Sequence, residues 1–402
     1  MSQPVFEPQT INQETSWLFP RMKILFLALD VVVQGTTGDA IHVRELTNSL
    51  AQLGHDVALI AAPMDGKASE DASVFEGVDV TLLKDRGNVA TVRKCGKILK
   101  DFRPDYIYER RFSPKIGAAL SALHGVPLAV EINGLVEEEL EKQGRTEDAR
   151  RVLGGARVSL RKEFFAKAKK VIAVTQGIKD GLHDLYGIPL SKIVVVHNGA
   201  NTDLFRSMDK VSCRERLDLE KDAIYLCFVG KLMQWFRLDQ IIRILPELEM
   251  EIPGLRLVIV GDGPEKQNLE DLVRELGLGK KVTLTGYVPH DEVPIYINAS
   301  DLCLAPIVPG SGYSPLKLFE YMACSRPVVG SRVIGFEVLE RGAGMLYEPD
   351  DLKDLSSKIV KILSDEDMRI SMGAVGRQLV EEEYSWRKVA ERIVGVLEEA
   401  VS

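Results

Sequence analysis

The stretch that decides the fold is MKILFLALDVVVQGTTGDAIHVRELTNSLAQLGHDVALIAAP, residues 22–63. MKILFLAL (22–29) is a continuous apolar run of the kind that forms a strand buried on both faces. A Gly-containing loop follows, then a helical pattern with Ile41, Leu46 and Leu50 on one face. Gly54 stops that helix, and DVALIAAP (56–63) reads as a second strand. Strand, helix, strand in so short a span is a parallel βαβ unit. The alternation continues outward through PDYIYER (104–110), PLAVEI (127–132), KVIAVT (170–175) and KIVVVHN (192–198).

After a polar stretch at 206–222 a second series begins: AIYLCFVG (223–230), LRLVIVGDG (255–263), KVTLTGY (281–287), DLCLAP (301–306), RPVVGS (326–331) and GMLYEP (344–349). Helical segments separate them at 239–251, 264–277 and 315–324, and amphipathic helices follow at 351–365 and 386–400. The expected architecture is α/β, with two doubly wound Rossmann-like domains facing each other across a cleft. A polar tail covers 1–21, the first domain 22–205 and the second 206–385, with the last helix, about 386–402, packing back on the first domain. Ligands of such sheets sit beyond the carboxyl ends of the strands, which suits a two-substrate enzyme.

A chain of 402 residues fits this plan, since domains run to roughly 150 residues each. Its 51 basic and 59 acidic residues leave a net charge of −8, which argues against nucleic acid as a partner. The 5 cysteines are scattered without a C-x-x-C pair, against a disulfide framework or a zinc site and in keeping with a reducing cytoplasm. The uncharged run between Lys115 and Glu131 is too short to cross a bilayer, for which about 18–20 residues are needed. The segment before Arg21 has no basic-then-apolar leader pattern.

Several loops carry chemistry. QGTTGDAIH (34–42) ends a strand and opens a helix, where backbone N–H groups favour an anion and Gly38 allows close approach. It is not G-x-G-x-x-G, and Ala62-Pro63 ends the next strand where a ribose-binding acid would stand, which disfavours a nicotinamide oxidoreductase. EINGL (131–135) puts Asn133 and Gly134 at a strand end, and His42 lies in the loop–helix region. The most informative stretch is GSGYSPLKLFEYMACSRPVVGS (310–331). A Gly/Ser loop runs into a helix start at Pro315, whose free N–H groups suit a diphosphate. Lys317 and Glu320 share one helix face, a cation for phosphate and a carboxylate for ribose hydroxyls.

This segment resembles the signature of the retaining, GT-B-fold glycosyltransferases of family four (glycosyl transferases group 1), with Glu320 matching the second acid of their Glu-x7-Glu pattern. GDAIHVRELTNSLAQLGHDV, VVVHNGANTDLF (194–205), FVGKLMQWFRLDQII (228–242), LVIVGDGP (257–264) and VTLTGYVPHDEVPIYINASDLCLAP (282–306) are similar to further family segments, so the likeness runs from about Met22 to the C-terminus. It implies a transferase that moves a hexose from a nucleotide-sugar to a hydroxyl acceptor with retention, without a metal ion and without a cofactor beyond the donor. Carried over, Gly38 flanks the donor diphosphate and sugar, Lys231 contacts phosphate, Val288 lines the base pocket, Leu316 and Lys317 face the phosphates, and Glu320 holds the ribose. His42, Asn133 and Gly134 fall on the acceptor side.

Three positions depart from the family pattern. Gly312 stands where the first Glu belongs, Asn133 where some members have His, and Trp235-Phe236-Arg237 where the donor loop reads W-K-G. Arg237 is therefore expected to supply the phosphate charge that Phe236 lacks, and Lys231, Arg237, Lys317 and Glu320 form the expected catalytic set. A catalytically silent nucleotide-sugar-binding or scaffold protein is the competing reading. The acceptor, whether glycan, lipid-linked or small molecule, is left open. Ten basic residues against four acids in 141–170 read either as a solvated helix face or as a patch for peripheral contact with anionic lipid at the inner membrane surface.

Overall fold

The computed structural model describes residues 20–35, 37–63, 75–84, 89–136, 138, 140, 146–148, 154–310, 314 and 316–400. Gly312, Pro315 and part of the 141–170 basic segment lie outside the described residues, as does the tail up to residue 19.

The first sheet contains β1 (Lys23–Val32), β2 (Asp56–Ala62), β3 (Val78–Leu82), β4 (Tyr106–Arg110), β5 (Leu128–Ile132), β6 (Lys170–Ala173) and β7 (Ile193–Val195), in the order β3-β2-β1-β4-β5-β6-β7. The second contains β8 (Ile224–Val229), β9 (Leu255–Val260), β10 (Val282–Gly286), β11 (Leu302–Ala305), β12 (Val328–Ser331) and β13 (Gly344–Tyr347), in the order β10-β9-β8-β11-β12-β13. Every pairing within both sheets is parallel. The sequence dictates this: strands such as β5 and β11 are buried along their whole length, and only helices on both faces of a parallel sheet provide such cover. Each fully buried Leu, Ile or Val contributes about 1.5–3 kcal/mol, and clusters of them lie on both faces of each sheet.

Among the elements that the sequence does not announce, two show why. β3 is half-exposed at a sheet edge, so its VDVTL lacks the apolar run of its neighbours. The helix Glu366–Leu379 carries two glycines that blur its periodicity, and packing explains one of them. A Cβ on Gly373 would lie 2.2 Å from the Ser325 carbonyl oxygen, so only glycine lets this helix approach the end of the helix Leu316–Ala323.

The chain passes from the first sheet to the second between Val195 and Ile224, and returns after Tyr384. The two crossings touch: Ala200 N donates to Tyr384 O at 2.9 Å, and Trp386 N to Ala200 O at 3.2 Å. The helix Trp386–Glu399, capped by Ser385, then buries Trp386, Val389, Ile393 and Leu397 in the cluster that holds Ile24 and Phe26 of β1.

Candidate active site

In each sheet the order reverses beside the first strand, between β1 and β4 and between β8 and β11. A crevice opens at the carboxyl end of such a switch point. From the first unit it receives the start of the helix Gly38–Gln52, where the Thr37 side chain accepts from Ala40 N at 3.3 Å. Opposite it stands the start of the helix Leu316–Ala323, close enough that a Cβ on Gly38 would lie 3.7 Å from Leu316 Cδ1. Between them is a cavity of about 440 Å³, and Gly38, Lys231, Val288, Leu316, Lys317 and Glu320 all line it.

Lys317 is its central cation. Its Nζ lies 4.5 Å from the centroid of the Phe236 ring and 5.4 Å from that of Phe228. On its third side is the backbone of Gly230, at φ 151°, where a Cβ would approach Nζ to 2.1 Å. No carboxylate lies within ion-pairing distance of it among the described residues. Burial therefore pushes the ammonium down to about 8, with Glu320 acting in the opposite sense. The helix that carries it is fixed to β8, because Val229 N donates to the buried Tyr321 hydroxyl at 2.7 Å.

Glu320, buried one helical turn on, has a partner that sequence reasoning missed. His290 Nε2 lies 3.0 Å from Glu320 Oε1, and His290 also lines the cavity. Burial opposes the charge on this imidazole, but the hydrogen bond to Glu320 and the nearby Glu45 carboxylate raise its pKa above the ordinary histidine value. Glu45 comes from the first unit, where burial raises its pKa and Asn201 Nδ2 donates to it at 3.0 Å. The pair His290–Glu320 spans 30 residues, which local spacing cannot reveal.

The structure corrects the expectation for Arg237. It stands at the glycine position of the W-K-G pattern and adopts φ 47°, ψ 36°, the left-handed link between the turn Gln234–Phe236 and the helix Leu238–Glu251. That backbone sends the guanidinium to Asp350 Oδ1 at 2.9 Å, beside a separate depression of about 710 Å³, and Arg237 is absent from the cavity lining. The acceptor-side residues are also not brought into the cavity. His42 is 3% exposed, with Nε2 2.8 Å from Glu131 Oε1 and its ring edge-on to Trp386 at 5.0 Å. Asn133, next to Gly134 beyond the end of β5, donates to the same carboxylate. Burial alone would raise the pKa of Glu131, but His42, Arg110 and the Tyr108 hydroxyl hold it down at about 2. Among the described residues no group of three or more His, Cys, Asp and Glu is placed to hold a metal ion.

Two parallel α/β units, with a cavity bearing two lysines and two carboxylates between their switch points, have the architecture of a GT-B fold. Two family patterns match the chain, described as Glycosyltransferase Family 4 over residues 36–204 and as Glycosyl transferases group 1 over residues 223–365. The chain belongs to this family, and it is a glycosyltransferase. Among relatives, it is 26% identical over 401 residues to a D-inositol 3-phosphate glycosyltransferase of Streptosporangium roseum, covering 90% of this chain and 89% of the relative. An Acidothermus cellulolyticus protein of the same description is 30% identical over 307 residues, covering 72% and 66%. Solved structures share the fold. Sucrose-phosphate synthase from Thermosynechococcus elongatus superposes with a TM-score of 0.74 at 21% identity, covering 95% of this chain and 100% of that one. Anabaena HepE in complex with UDP gives 0.76 at 18% identity, covering 94% and 100%.

Proposed function

We propose that the protein is a retaining hexosyltransferase that takes its sugar from a nucleoside diphosphate donor held in the 440 Å³ cavity. The observation that carries this reading is the Lys317 ammonium, which makes no ion pair among the described residues, one turn from a carboxylate oriented by His290. A half-buried cation of this kind is a receptor for an anion, and the donor diphosphate supplies one. Glu320 accepts from ribose hydroxyls, while His290 fixes the carboxylate.

Departure of the nucleoside diphosphate concentrates negative charge on its phosphate oxygens, and fixed positive charge in a dry site stabilises that charge. Lys317 and Lys231, both at the cavity wall, provide it, so turnover proceeds without a divalent ion. The acceptor is a hydroxyl compound reaching the sugar from the first unit. The names of relatives, among them a phosphatidylinositol monomannoside mannosyltransferase of Mycolicibacterium smegmatis, point to polyols and glycolipids as the first acceptors to assay.

Peripheral contact with anionic lipid belongs to the same reading. Arg157, Arg161, Lys162 and Lys167 of the helix Gly155–Lys167 retain a net positive charge there, although Arg161 is already stacked on Phe112 at 4.7 Å. Co-sedimentation with anionic but not neutral vesicles, weakened by salt, checks it.

The test of the function is a panel of UDP-, GDP- and ADP-sugars with inositol phosphates and simple glycosides as acceptors. The expected result is transfer from one donor with retained anomeric configuration by NMR, undiminished by EDTA. Saturable nucleotide binding without transfer or donor hydrolysis would instead make the protein a silent binder.

A further inference from the structure

We propose that Phe236 is a positioning residue for the donor phosphates: its ring face aims the Lys317 ammonium into the cleft, in place of the second cation that the family pattern puts at this position. The inference rests on the donor reading above and deepens it.

An ammonium near a protein surface ordinarily finds a carboxylate or a carbonyl. The niche around Lys317 offers two aromatic faces and the backbone of Gly230. Phe236 is the nearer ring at 4.5 Å, and it is braced by Phe228 at 5.3 Å between ring centroids and by Trp235 at 6.3 Å. A ring quadrupole attracts a cation and restricts its direction, yet carries no net charge that must be displaced when a phosphate arrives. A carboxylate would neutralise the ammonium, and a second lysine would repel it. Gly230 completes the niche, because any Cβ there would occupy the place of Nζ. Phe236 thus turns one flexible lysine into a fixed anion receptor.

The ring–cation contact favours the charged form, as Glu320 does one turn away, against the burial that lowers its pKa. Binding of a diphosphate to a lysine that titrates near 8 takes up a proton above that pH. Removing the ring should lower the pH at which affinity starts to fail.

The experiment combines calorimetry of UDP, GDP and ADP with NMR of the ligand-free protein. Phe236→Leu, which keeps an apolar side chain, is expected to weaken nucleotide binding about three- to thirty-fold and to start the loss of affinity at lower pH. Phe236→Tyr is expected to restore both. In a Lys317→Met background, Phe236→Leu should add nothing. The Lys317 ε-methylene signals, shifted upfield under two rings, should move back toward ordinary values in Phe236→Leu. Equal losses with and without Lys317 would mean that Phe236 acts by packing alone, and unmoved ε-methylene signals would mean that the rings do not hold the lysine. Either result overturns the inference while the donor reading stands. Unchanged affinity in Lys317→Met overturns the donor reading and this inference with it.

Discussion

The two walls of the cleft treat charge in opposite ways. On the first unit, beneath the start of the helix Gly38–Gln52, Glu131 is buried against His42, Arg110, Tyr108 and Asn133, and Arg110 reaches on to Asp39. On the second unit, Lys317 is held by aromatic faces and makes no ion pair among the described residues, with the Glu320 carboxylate one turn away. Both walls bear ionisable residues at strand or helix ends, which sequence inspection values equally. A closed network of opposite charges maintains a fold, whereas a cation held without a counter-ion awaits a ligand. Substitutions should therefore separate the walls, with stability responding on one and donor chemistry on the other.

The largest effect is expected for Glu131→Ala. Removing one partner of a buried ion pair costs about 3–5 kcal/mol, enough for a pronounced drop in melting temperature. Glu131 titrates near 2 in the folded protein against 4.5 for an exposed glutamate. The stability it contributes is thus present in full above about pH 5 and lost as pH falls toward 2. A melting curve indifferent to Glu131→Ala would break the contrast from this side.

Lys317→Met should do the reverse, leaving melting unchanged or slightly raised while turnover falls about a hundredfold or more, as for one strong charge-stabilising donor. Glu320→Gln should weaken donor binding about ten- to a hundredfold, the equivalent of about 1–3 kcal/mol for a buried polar group left poorly paired. Its apo melting should fall moderately and less than that of Glu131→Ala, because glutamine can still hydrogen-bond His290 but no longer stabilises its charged form. The smallest effect is expected for Arg237→Gly. It loses a part-exposed ion pair with Asp350, worth about 0–1 kcal/mol, and relieves a left-handed residue, worth about 1–2 kcal/mol. Stability should stay level or rise slightly, and turnover should remain within about threefold. A hundredfold loss there would restore Arg237 as a phosphate ligand.

Much of this was legible in the sequence. The strands at 22–29, 223–230 and 255–263 announce themselves because burial on both faces demands unbroken apolar runs, and the i,i+3 pair Lys317–Glu320 places itself on one face once the helix is recognised. Three features were not legible, for separate physical reasons. β3 is an edge strand with only one covered side, so its pattern is weak. His290 meets Glu320 through the fold, and nothing local marks it. The charge of Arg237 beside Phe236 suggests a phosphate ligand, but its direction is set by backbone dihedrals at a glycine position, which charge does not reveal.

The central claim is that the cavity between the two units is a donor-diphosphate site gripped by Lys317. The most direct test is the dissociation constant of UDP, GDP and ADP for the wild-type protein, measured by calorimetry from pH 6.5 to 9.5. Because the free ammonium titrates near 8 and a bound diphosphate favours its charged form, affinity should fall above about pH 7.5, whatever His290 and the terminal phosphate contribute below it. The fall should approach tenfold per pH unit, with proton uptake visible as a dependence of heat on buffer. Binding that is tight and flat across the whole range, or no binding of any of the three, would contradict it.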